Sequence, residues 1–238
     1  MSSAGAPRAQ ASWRGRRVSG VLFDLVGTLL DTAADIARAL NRAFDERGWQ
    51  SLPVSAVSRM IGRGSPILIE RAAAAGGHAL SVAEQAAILE RFFDHYGALE
   101  ESNESDARPY PGVVETLKLV HQAGLKVAVV TNKQQRFATA LLHRLDLSGW
   151  VDVVVGGDTC ERRKPDPQPL LFACEALSIA AEDTLMVGDS VNDVTAARAA
   201  QIRVMCVPYG YNEGRDPRSL QCDVMLDTLA DLPGLLWA

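Results

Sequence analysis

Six apolar runs of strand length punctuate the chain, at Val18–Asp24, Lys126–Thr131, Val151–Gly156, Thr184–Gly188, Arg203–Val207 and Asp223–Leu226. They are apolar without strict alternation, as expected of strands covered on both faces in a parallel sheet. Between them the spacing predicts helices over Gly112–Gly124, Gln134–Leu145, Pro167–Leu177 and Asp193–Ala200, with Gly124 placed as a C-terminal cap. This βαβ rhythm predicts an α/β fold with a doubly wound parallel-sheet, Rossmann-like core.

One stretch breaks the rhythm. From about Thr32 to Glu101 the chain is rich in Ala, Leu, Glu and Arg and reads as several helices inserted after the first strand. The expected division is therefore a leader over 1–17, an α/β core over 18–31 and 107–238, and a helical cap over 32–106. Ser102–Asp106, with little to bury, is the expected hinge-side linker. The leader carries Arg8, Arg14, Arg16 and Arg17 and no acidic residue, and is expected to be a mobile extension. It has no apolar run of the ~7–15 residues that a secretory signal needs.

Composition narrows the function class. With 238 residues, 47% of them apolar, the chain can bury one full core and a smaller second lobe. A net charge of −5 and the lack of a basic stripe argue against nucleic acid as a partner. No run approaches the roughly 20 apolar residues that span a bilayer, so no membrane partner is expected either. Cys160, Cys174, Cys206 and Cys222 lack metal or redox spacing and fit reduced thiols in a cytoplasmic protein. Nothing in the sequence specifies an oligomeric state.

The candidate chemistry lies at the carboxyl ends of the predicted strands, where open α/β sheets bind ligands. Asp24 leaves the first strand ahead of Gly27 and Thr28, a loop able to bring backbone N–H groups up to a phosphate. Thr131 and Asn132 end the second strand; a hydroxyl and amides there suit phosphoryl oxygens, though Thr131 equally reads as a helix cap. Lys164, inside Arg163-Lys164-Pro165-Asp166-Pro167, sits in a proline-stiffened loop that could aim its ammonium inward, or be a plain surface lysine. Asp189 and Asp193, four residues apart after a buried strand, offer hard oxygens suited to Mg²⁺, while Asp189 or Asn192 also reads as a helix N-cap.

Together these motifs, the cap-sized insertion and the segment Pro208–Gly214 resemble the haloacid dehalogenase-like hydrolases, specifically their phosphoglycolate phosphatase-like branch. The resemblance runs over nearly the whole chain from Val18. It implies Asp24 as nucleophile, Thr131 and Lys164 as phosphate clamps, and Asp24, the Val26 carbonyl and Asp189 as Mg²⁺ ligands. Asp193 would orient Lys164 or a metal-bound water. Gly27, Thr28 and Asn132 would help bind the substrate, and Arg63, in the cap turn Ile61–Ser65, could hold a substrate carboxylate or hydroxyls.

At one position the chain departs from that branch. Two residues after the nucleophile the branch has an Asp that protonates the leaving alkoxide, and here stands Val26, which has no titratable group. General acid–base catalysis is commonly worth about 10² to 10⁴ in rate. Asp31 and Asp35, further along, are not obvious substitutes. The expectation is a Mg²⁺-dependent phosphatase of small phosphorylated metabolites, phosphoglycolate first, with activity impaired at Val26. The alternative is a catalytically silent protein that binds a phosphoester without cleaving it.

Overall fold

The structure is a computed structural model, and residues 10–102 and 104–237 are described. It opens with β1 (Ser12–Trp13) and β2 (Arg16–Arg17), followed by β3 (Gly20–Phe23) and β4 (Leu30–Asp31). Four helices come next: α1 (Ala33–Asp45), α2 (Val54–Ser58), α3 (Ser65–Ala75) and α4 (Val82–Glu101). After them run β5 (Arg108–Pro109), α5 (Val113–Gln122), β6 (Lys126–Val130), α6 (Gln135–Arg144), β7 (Val153–Val155) and α7 (Gln168–Leu177). The chain ends with β8 (Thr184–Gly188), α8 (Val191–Ala199), β9 (Arg203–Cys206), β10 (Val224–Met225) and α9 (Leu232–Leu236).

Six strands form one parallel sheet in the order β10-β9-β8-β3-β6-β7. Counted along the chain this is the doubly wound order, in which the winding reverses beside the first strand. Residue alternation explains the unbroken apolar runs: Val21, Phe23, Val127, Val129, Leu185 and Val187 point into one core beneath α5, α6 and α9. Leu22, Ala128, Val130 and Met186 point into the other, against α7 and α8.

The helices between β4 and β5 bury a third apolar cluster, with Ile36, Leu40 and Phe44 of α1 against Ile69 of α3 and Ile88, Phe92 and Tyr96 of α4. Helix α4 starts on a capping box in which Ser81 and Glu84 exchange hydrogen bonds. The lobe joins the sheet body through the β4–β5 pair, where Leu30 faces Pro109 and Asp31 faces Arg108.

Two expectations need correction. Residues 1–9 of the expected leader lie outside the described residues, but Ser12–Arg17 is a β hairpin, with Trp13 only 6% exposed. Arg203 donates to the carbonyls of Trp13 and Arg17, and Arg14 and Arg203 both lie over the Trp13 ring. The expected linker is likewise anchored rather than loose: Asp35 on α1, 1% exposed, accepts from the Ser105 hydroxyl and from the amides of Asp106 and Ala107. A buried carboxylate without those donors would be costly, so Ser105 and the Asp106 backbone serve Asp35, while the Ser102, Glu104 and Asp106 side chains stay exposed.

Candidate active site

Strand register delivers the site. Phe23 lies level with Val129 on one side and Val187 on the other. Asp24, one residue beyond Phe23, and Thr131 and Asp189, two residues beyond Val129 and Val187, therefore leave the sheet at one edge, at the point where strand order reverses. The Asp24 amide donates to the Val187 carbonyl at 2.9 Å and that of Thr131 to Val155 at 2.9 Å, which fixes where each turns out of its strand.

Lys164 organises the centre. Its ammonium donates at 2.7 Å to Asp24 Oδ1, 2.7 Å to Asp193 Oδ1 and 2.6 Å to the Val130 carbonyl, so all three of its protons are used. Burial alone would pull this lysine down, but Asp193 and Asp24 outweigh it and hold the ammonium above the ordinary lysine range. The other oxygen of Asp193 accepts from the backbone and hydroxyl of Ser190 and from the Asp189 amide. Asp193 thus combines a role at the start of α8 with the orientation of Lys164, and Ser190, rather than Asp189 or Asn192, occupies the N-cap.

Asp189 is held from two sides, by the Thr28 hydroxyl at 2.8 Å on Oδ1 and the Tyr211 amide at 2.7 Å on Oδ2. Burial, reinforced by the Asp24 and Asp193 charges, pushes its carboxyl well up. Burial also pushes Asp24 up, to about 6, with Lys164 opposing and Asp193 adding to the rise. Oxygens of Asp24, Asp189 and Asp193 converge within 4.8 Å of one another. Three carboxylates facing one ammonium carry an excess of two negative charges, which a divalent cation would neutralise. The all-oxygen donor set therefore fits such an ion, held by Asp24 and Asp189 with Asp193 behind them.

Not every expected substrate contact reaches the cleft. Asp24, Val26, Thr131, Asn132, Lys164, Asp189 and Asp193 line it. Gly27 and Thr28 do not: the Gly27 amide is committed to the Leu30 carbonyl, and Thr28, fully buried, spends its hydroxyl on Asp189. Gly27 is required because its φ is +97° and any Cβ would collide with the Asp189 carboxylate. Arg63 is exposed and lies outside the lining, which takes Gly62, Gly64, Ser65 and Leu68 from the same part of the helical lobe. Positive φ at Gly62 (+137°) and Gly64 (+85°) shapes that turn, and no helical or strand periodicity indicates which way its side chain faces.

No motif points to Lys133 or to the apolar Ile36, Leu68 and Phe92, whereas Tyr211 lies inside the segment Pro208–Gly214. The cleft, about 650 Å³ including its open mouth, has a charged floor and an apolar wall of Ile36, Ile61, Leu68 and Phe92. Across it the two lobes are fastened by polar contacts. Asn132 and Asn192 amides both donate to the Gly62 carbonyl, at 3.0 and 3.3 Å, and Arg71 pairs with Glu213 at 2.9 Å. Neither Asp31 nor Asp35 lines the cleft. Asp31 instead pairs with Arg108 and accepts from the Tyr211 hydroxyl.

Comparison with known proteins agrees with this geometry. Residues 21–207 match the family model described as haloacid dehalogenase-like hydrolase. The chain belongs to the haloacid dehalogenase-like hydrolases. A phosphoglycolate phosphatase of Nitrosospira multiformis is 42% identical over 220 residues, 92% of this chain and 96% of that protein. One from Thiobacillus denitrificans is 39% identical over 215 residues, 90% and 93% of the two chains. The solved structure of a predicted phosphoglycolate phosphatase from Haemophilus somnus superposes with a TM-score of 0.84 at 28% identity, covering 92% of this chain and 97% of that one. Within the haloacid dehalogenase-like hydrolases the chain therefore falls in the phosphoglycolate phosphatase-like branch, a class of phosphoric monoester hydrolases. Among the described residues no helix is long and apolar enough to cross a membrane.

Proposed function

We propose that this chain is a Mg²⁺-dependent phosphatase of small phosphorylated metabolites, phosphoglycolate first among them, with turnover depressed by Val26. The observation that carries this reading is the Lys164 ammonium locked between Asp24 and Asp193 at the floor of a cleft that Asp189 also enters. An Asp24 oxygen is the nucleophile: it forms a bond to phosphorus as the ester P–O bond breaks, giving an aspartyl phosphate that water then cleaves. Thr131 holds the phosphoryl oxygens, and Lys164, fixed by Asp193 and the Val130 carbonyl, offsets their charge and exchanges its Asp24 bond for a phosphoryl oxygen as Asp24 attacks. A Mg²⁺ ion on Asp24, Asp189 and the Val26 carbonyl would supply further charge neutralisation when bound. The helical lobe, residues 32–106, acts as the cap that covers the substrate.

Val26 supports a second reading. Its side chain, half-buried and packed against both the sheet core and the helical lobe, places hydrocarbon where the departing alkoxide needs a proton. A chain that holds a phosphoester and turns it over very slowly would be, in practice, a phosphoester-binding protein. Phosphate release from phosphoglycolate with and without Mg²⁺, in this chain and in Asp24→Asn, tests the proposal. Mg²⁺-dependent release abolished in Asp24→Asn is expected. Release that survives Asp24→Asn would refute the covalent route, and ligand binding without any release would favour the second reading.

A further inference from the structure

Two lysines line the cleft, and they differ in what surrounds them. Lys164 is saturated by three acceptors. Lys133, two residues beyond Thr131, has no carboxylate within ion-pair distance and no acceptor for its ammonium among the described residues. Its Nζ instead rests 3.8 Å from the centre of the Tyr96 ring and 5.9 Å from that of Phe137. The nearest acidic groups do not claim it. Asp35 spends its oxygens on Ser105, Asp106 and Ala107. Glu100 stands off the cleft with one oxygen buried and unpartnered. Burial also lowers the Lys133 ammonium, to about 8, as expected of a cation that still lacks a full counter-charge.

An ammonium on an aromatic cushion beside a charged site is prepared for an anion. The phosphoryl group occupies the floor, between Thr131 and Lys164. A side chain rooted two residues from Thr131, at most about 7 Å along the backbone, reaches the next few atoms of a short ester. Every other lining residue near that position is apolar or neutral: Ile36, Ile61, Leu68, Phe92, Ser65. We propose that Lys133 is the specificity-determining residue of this site, pairing with a second negative group, a carboxylate, on a short phosphate ester. This deepens the phosphatase reading and rests on it. It also gives Lys133 the carboxylate-binding role that the sequence suggested for Arg63.

The test compares three two-carbon esters with Mg²⁺ at pH 7: phosphoglycolate, ethyl phosphate and phosphoethanolamine, which carry a carboxylate, no charge and an ammonium beyond the phosphate. It uses the full chain and its Val26→Asp variant. The expected order of kcat/KM is carboxylate, then neutral, then cationic. Lys133→Met is expected to lower the phosphoglycolate-to-ethyl phosphate ratio by at least about 30-fold, the lower range for removing one partner of a buried charge pair. Lys133→Arg should keep the ratio within about fivefold. A ratio unchanged in Lys133→Met, with both esters slowed alike, would mean that Lys133 only supports the packing around Glu100 and Tyr96. That result overturns the role given to Lys133 alone. If Lys133→Met does not fold, the order in the unmutated chain decides, and phosphoethanolamine turned over as fast as phosphoglycolate refutes the proposal. No turnover of any ester, even with Val26→Asp, would remove the phosphatase reading and this one with it.

Discussion

Replacing Val26 by Asp puts a carboxyl on the lining of the cleft, two residues from the nucleophile. An acid–base group is worth about 10² to 10⁴ in rate, or about 3 to 5 kcal/mol of barrier. The like charges of Asp24 and Asp189 would hold the new carboxyl protonated to higher pH, which suits a general acid. The change has a structural cost. Val26 packs against both the sheet core and the helical lobe, and removing those methyl contacts costs about 1–2 kcal/mol, a few degrees in Tm for a chain of this size. Steady-state kcat on phosphoglycolate with saturating Mg²⁺ should therefore rise at least about 100-fold despite a lower melting temperature. With p-nitrophenyl phosphate, whose leaving group departs without a proton, the gain should stay within a few-fold. A similar gain on both esters, or a gain below about tenfold on phosphoglycolate in a folded variant, would refute the assignment of the missing proton donor to this position.

Lys164→Met leaves Asp24 and Asp193 facing each other without their cation; it should abolish turnover and lower stability by about 3–5 kcal/mol, read by chemical denaturation. Added Mg²⁺ should restore part of that loss, because an ion bound only to the native state stabilises it. Thr28→Val removes the hydroxyl that orients Asp189 and should raise the Mg²⁺ concentration for half-maximal activity by about 10- to 100-fold, and an unchanged Mg²⁺ titration would contradict that role. Burial raises the Glu100 carboxyl from 4.5 to about 7, against the pull of Lys133 and Arg144. Since the folded value lies above the unfolded one, this group's contribution to stability is present below about pH 4.5 and is lost as pH rises through 7. Allowing for solvent screening, the loss is about 1–2 kcal/mol. Glu100→Gln should flatten the melting temperature between pH 5 and 8, and a profile parallel to the parent's would disprove the assignment.

The sheet was legible because strands covered on both faces leave continuous apolar runs, and these placed all six parallel strands within two residues of their observed ends. The centre of the site was legible for a related reason: Asp24, Thr131 and Asp189 stand immediately after such runs, and register aligns them. What escaped depends on partners far along the chain. Thr28 serves Asp189, 161 positions away, and nothing near it in sequence separates that duty from binding a phosphate. Trp13 pairs with Arg203 across the fold, so its surroundings read as a loose leader. Lys133 is an unremarkable lysine after Thr131-Asn132 until α4 brings the Tyr96 ring beneath it.

The contacts across the cleft mouth bear on timing rather than chemistry. The Gly62 carbonyl, shared by two asparagine amides, and the Arg71–Glu213 pair are polar links, and separating them exposes groups that water readily satisfies. The charged part of that fastening, the Arg71–Glu213 pair, is weakened by dissolved ions, while the Phe137–Tyr96 packing between the lobes is not. Product escape is thus tied to ionic strength: salt should shorten the residence of phosphate in the closed cleft even where it leaves the bond-breaking step at Asp24 untouched.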